Sequence, residues 1–168
     1  MEQRAFSPWS HAGRVRPRLL VEDPDQALQV SDFRLFEAAG LEVALCRGPG
    51  PSDSCPLVAE GRCRLAEEAD VVLIGPGMEP YRAELAAAHH RTRPGRPVVV
   101  AVRRDDGDVP PPGCVPLTVP ASVSGQIRTV WRALAGPAAR RAPGVAGTPP
   151  PSAAESATLA RLVDLLGW

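Results

Sequence analysis

The sequence predicts an α/β domain: a parallel sheet covered by helices on both faces, in three layers. Two observations predict it. Five short apolar segments begin at Arg18, Leu41, Asp70, Pro97 and Val115, and those from Arg18 and Pro97 show no alternation, as expected of strands buried on both faces. Between most of them lie segments of helical periodicity bounded by capping and breaking residues.

A chain of 168 residues can bury one such core without disulfides or metal. Hydrophobic content of 44% and charged content of 23% are those of a globular protein. A formal net charge of zero removes the long-range attraction that a nucleic acid or an anionic membrane would use, which argues against both as partners. All 19 basic residues are Arg, with no Lys and no Asn. A phosphate-loop lysine and a Schiff-base lysine are therefore excluded. The N-terminal residues MEQRAFSPWSHAG lack a signal-peptide core, and no run of 18 apolar residues occurs, so the expected location is cytoplasmic, with reduced thiols.

Taken in order, residues 1–17 mix Pro, Ser, Gly and Arg without periodicity and read as a flexible arm. Arg18 to Val21 is the first strand. Glu22-Asp23-Pro24-Asp25 stops it and starts a helix, with Asp23 as the cap and Pro24 at the first helical position. The helix, about Asp25 to Ala39, is expected to bury Leu28, Leu35 and Ala39 beside Phe33 and Phe36, and Gly40 ends it. Leu41 to Leu45 forms the second strand, closed by Cys46. A Gly/Pro loop follows, and Pro56 to Glu68 holds one or two short helical turns.

Asp70 to Ile74 is the third strand, broken by Gly75-Pro76-Gly77. Glu79-Pro80 opens a helix through His90, with Tyr81, Leu85 and Ala88 inward. His89 and His90 read as its solvated end, and Arg91, Arg93 and Arg96 as a solvated face. The fourth strand is Pro97 to Val102. In Arg103 to Gly113 the prolines forbid a crossover helix, yet eleven extended residues span about 35 Å, so Val115 to Val119 can still return as a parallel fifth strand. Ser122 or Ser124 then caps a helix with Ile127, Val130, Trp131 and Leu134 on one face. Residues 18–135 make the domain and 136–151 a Pro/Gly/Ala linker. Residues 152–168 make an amphipathic docking helix with Leu159, Leu162, Val163, Leu166 and Trp168 as contacts. Such a helix is too short to persist alone in water, which implies a protein partner or a seat on its own domain.

The order of these motifs resembles the response-regulator receiver domain. RLLVEDPD looks like its first strand with an acidic pair, here Glu22 and Asp23; FEAAGLEV looks like its first helix entering the second strand; ADVVLIGPGMEP looks like the approach to its third strand. The resemblance implies a flavodoxin-like fold of strand order 2-1-3-4-5, here without the helix between strands 4 and 5, and a signalling role. It also implies a phosphoacceptor aspartate where this chain has Gly75, and a lysine where it has Val119 before Pro120. With neither group present, the chemistry of an aspartyl phosphate is missing. The expectation is a degenerate, non-enzymatic pseudo-receiver, a regulatory or protein-interaction module whose rim is formed by Glu22, Asp23, Gly75 and Gly77.

The alternative lies in Cys46, Cys55 and Cys63, whose spacing matches no standard zinc or iron–sulfur motif. Three thiolates would still bind zinc or a cluster with a further ligand, or two would form a disulfide. A cysteine-dependent metal-binding or thiol-redox protein is therefore the second expectation, beside the plain reading of these thiols as small buried residues.

Overall fold

The structure, a computed structural model, describes residue 9 and residues 16–51, 54–104 and 107–136. The linker and docking helix expected over 136–168 lie outside the described residues, apart from Gly136.

Five strands, β1 (Arg18–Glu22), β2 (Glu42–Cys46), β3 (Val71–Ile74), β4 (Val98–Arg103) and β5 (Val115–Val119), form one sheet in the order β2-β1-β3-β4-β5. Every pairing is parallel, including β4 with β5, so the fifth strand returns in the direction of the others. The described part of the β4–β5 connection contains no helix, as its prolines require.

Helices α1 (Gln26–Ala38) and α5 (Val123–Leu134) cover one face, where Leu19, Val21, Leu73 and Val99 meet Phe36, Ile127, Val130 and Trp131. The other face carries two five-residue helices, α2 (Pro56–Glu60) and α3 (Arg64–Glu68), a 3-10 turn (Pro76–Tyr81) and α4 (Arg82–Thr92). There Leu20, Val72, Ile74, Val98 and Val100 pack against Leu57, Ala66, Met78, Leu85 and Ala88. Alternation along each strand sends one set of side chains to each layer.

Three local expectations are corrected. The cap of α1 is Asp25, whose Oδ1 accepts from the Ala27 and Leu28 amides, and not Asp23, which is occupied elsewhere. Leu28 and Phe33 do not enter the core: they are 41% and 39% exposed, while Gln29 turns inward instead. Gln29 does so because its Nε2 reaches the carbonyls of Asp23 at 2.7 Å and Cys46 at 2.9 Å, two acceptors at the ends of β1 and β2. Third, Trp9 is not loose. It is buried in the α4-side core, with the Arg18 guanidinium over its ring.

Candidate functional site

The parallel pairing brings the carboxyl ends of β1, β2 and β3 to one rim, the edge where open α/β sheets bind ligands. Glu22 stands beside Cys46 on one side and Ile74 on the other. Two backbone hydrogen bonds continue this registry past the strands: Asp23 N donates to Cys46 O and Gly75 N to Glu22 O. The rim residues expected from the sequence, Glu22, Asp23, Gly75 and Gly77, are therefore neighbours.

Their side chains are not open to a ligand. Asp23 is buried, its Oδ1 accepting from Asp25 N at 2.8 Å and its Oδ2 from Gly77 N at 3.2 Å. The carboxylate lies over Gly75 so closely that a Cβ there would stand 2.8 Å from Asp23 Cγ and 2.9 Å from its Cβ. A Cβ on Gly77 would meet Asp23 Oδ1 at 2.6 Å and the Pro24 ring at 2.8 Å. The two glycines are thus the residues that admit the Asp23 side chain, which fills the space above the end of β3. Farther along the rim, Gly48 adopts a positive φ of 68° and a Cβ on it would meet Met78 Sδ at 2.5 Å, so the loop after β2 leans directly on the Met78 side chain. Buried Arg82, at the start of α4, holds Asp108 of the β4–β5 connection.

Glu22 turns the other way, beneath the rim. Its Oε2 lies 2.9 Å from His89 Nε2, and His89 is fully buried. The ring's second nitrogen, Nδ1, lies 2.9 Å from Nη2 of Arg96, itself buried. This corrects the expectation of a solvated histidine end and arginine face: of the residues concerned, His89 and Arg96 are interior, and Arg93 donates to the Ala69 carbonyl. The sequence held a signal for His89, which follows the inward Leu85 by four positions and so shares its helix face. Its partner Glu22 is 67 residues away, beyond any local pattern.

A divalent cation of the kind that the receiver resemblance implies does not fit the residues present. Glu22 is engaged by His89, and Asp23 by two backbone amides. Among the described residues, no group of three or more His, Cys, Asp or Glu side chains is placed to hold a metal ion.

The thiols lie on the same side of the sheet. Cys55, the residue before α2, is buried in the α4-side core, and Cys46 and Cys63 pack against it. All four cysteines are free thiols. Burial, then the charge of Glu22, pushes the Cys46 thiol up to about 12, and burial likewise raises Cys55. These are protonated at neutral pH, and protonated buried thiols are poor nucleophiles. Cys114 stands at the opposite end of the sheet, its Sγ 3.7 Å from His90 Nε2, with its thiol raised by burial to about 11. The parallel direction of β5 thus keeps it from the other three.

No family model matches the chain, and no curated protein matches it. Solved structures do. A response-regulator receiver domain protein from Clostridium thermocellum superimposes with a TM-score of 0.51 at 19% identity, over 71% of this chain and 94% of that one. A receiver protein from Sinorhizobium medicae gives 0.53 at 16%, over 73% and 97%. A protein described as pilus assembly-related from Burkholderia pseudomallei gives 0.53 at 18%, over 71% and 90%. The chain has the receiver fold. Its strand order and the layers of helices around the sheet are those of a flavodoxin-like α/β domain.

Proposed function

We propose that this protein is a non-enzymatic pseudo-receiver, a regulatory module that works by binding another protein and takes no phosphoryl group on aspartate. One observation carries the reading. The position at the end of β3 that would hold the phosphoacceptor is Gly75, and the Asp23 carboxylate occupies the space above it while bonded to Gly77 N and Asp25 N. Phosphoryl transfer to a carboxylate needs an open nucleophile and a positive group to balance the charge of the transferred oxygens. Gly75 offers neither, and Val119, at the end of β5, supplies no cation.

Exposed apolar side chains are what supports protein contact as the role of this scaffold. Val30 and Phe33, one turn apart on α1, are partly exposed apolar side chains, and Leu159, Leu162, Val163, Leu166 and Trp168 make an apolar stripe in the C-terminal sequence. The raised thiols of Cys46 and Cys55 favour this reading over thiol chemistry at the same loop.

The test is incubation of the full chain with acetyl phosphate and magnesium, followed by intact mass spectrometry. The expected spectrum shows the unmodified mass; gain of one acid-stable, hydroxylamine-labile phosphoryl group would overturn the reading.

A further inference from the structure

The line Glu22–His89–Arg96 has no part in the reading above, and its chemistry is unusually constrained. A carboxylate taken out of water needs a counter-charge. Glu22 is 1% exposed, and its side-chain hydrogen bond is to a histidine, not to an arginine. The cation is one residue further on. Arg96 begins near the opposite end of the sheet, before β4, and its guanidinium reaches back under α4. There Nη2 meets His89 Nδ1 at 2.9 Å and the His89 carbonyl at 3.3 Å, while Nη1 meets the Ala66 carbonyl at the α3 layer.

Proton bookkeeping follows from donor types alone. A guanidinium has only donors, so His89 Nδ1 must be the acceptor and carries no proton. The ring proton then sits on Nε2 and is donated to Glu22. A doubly protonated ring would aim an N–H at the Arg96 N–H. The set is therefore carboxylate, neutral imidazole and guanidinium, with no net charge. Burial, followed by repulsion from Arg93, lowers Arg96 to about 10, which still leaves it charged at neutral pH.

We propose that Arg96, acting through the tautomer it imposes on His89, is the built-in counter-charge of Glu22, and that this relay takes the place of a bound cation at the acidic end of β1. Arg96 and His89 are positioning residues: they fix where the Glu22 carboxylate points and keep it under the sheet. The relay joins β1, α3, α4 and the approach to β4, so the rim is set by groups at the far end of the sheet. Nothing in it depends on whether the protein signals or binds a partner.

Three measurements on the full chain test this. Nitrogen-15 NMR of histidine-labelled protein reads the tautomer directly. The expected His89 spectrum at neutral pH shows a bare Nδ1 and a protonated Nε2. The opposite tautomer, or an imidazolium, would overturn the proposal without any mutation. The melting temperature of the wild type is expected to be the same in millimolar magnesium and in EDTA; a magnesium-dependent rise would also overturn it. In a double-mutant cycle, Arg96→Met lowers the melting temperature and releases the fixed tautomer. Adding Glu22→Gln then restores more than half of the loss, although the His89 ring stands between the two residues. A simple sum of the two losses would mean that the residues are structural neighbours of His89 and no more.

Discussion

On the face covered by α1 and α5, the sheet meets Phe36, Leu41, Ile127, Val130 and Trp131, and what holds the layers together is apolar area. On the opposite face the same strands meet Leu57, Met78 and Leu85, but Glu22, His89 and Arg96 lie buried among them, with Cys55 in the same core and Cys46 and Cys63 at its margin. Away from Gln29, whose amide bonds the Asp23 and Cys46 carbonyls at the rim, the first face tolerates any well-shaped hydrophobe. The second depends on each partner being present, because a buried charge that loses its partner keeps its desolvation cost. The difference teaches where this domain is specified residue by residue.

Substitution tests of that contrast rank as follows. Arg96→Met should cost about 3–5 kcal/mol in chemical denaturation, because it leaves Glu22 buried without a cation. Leu41→Met, equally buried on the apolar face, should cost less than about 1.5 kcal/mol. Similar losses at the two sites would erase the distinction between the faces.

Gly75→Ala comes next, at about 2 kcal/mol, because the new Cβ displaces the Asp23 carboxylate from the Gly77 and Asp25 amides. If the displacement is the cause, the same substitution in an Asp23→Ala background should cost clearly less. Equal cost in both backgrounds would refer the effect to the backbone.

Asp32 sharpens the comparison through pH. Burial, then the nearby charge of Asp23, pushes its carboxyl from the ordinary 3.8 to about 6. The fold holds this proton more tightly than the unfolded chain does. Stability from that source is full below about pH 4 and is lost as pH rises through 6. Asp32→Asn should therefore stabilise the protein at pH 7 by about 1–2 kcal/mol, after allowance for partial exposure, and flatten its profile between pH 4 and 6. Urea melts of both forms at three pH values would show it, and an unchanged slope would remove Asp32 as the cause.

The smallest effect expected is at the α1 cap, where Asp25→Ala loses the bonds to the Ala27 and Leu28 amides and about 1 kcal/mol, seen as a lower denaturation midpoint with an unchanged slope.

Much of the architecture was legible because it rests on local facts. VVLI and VVVAV are short, β-branched and uniformly apolar, as doubly covered strands are, and the prolines from Pro110 to Pro112 forbid a helix whatever surrounds them. Ser122 caps α5, accepting from Gly125 N, as its position before the amphipathic run suggests. The apolar pattern of α1 misleads, because Leu28 and Phe33 fit a helical stripe yet stand exposed, while Gln29 is the residue drawn inward. The rim was half legible. Its members converge as the strand order demands, while the direction in which each side chain turns was hidden.

By itself the sequence determined the alternation of strands and helices, the absent crossover helix, and the glycine at the end of β3, since each follows from propensity, covalent geometry or identity at one position. Only the tertiary structure decided that β5 runs parallel, that Asp23 folds over Gly75 and that Glu22 is balanced from Arg96 through His89. Those outcomes depend on distances between residues far apart in the chain, and on the cost of leaving a charge unpaired once water has been excluded, which no local pattern encodes.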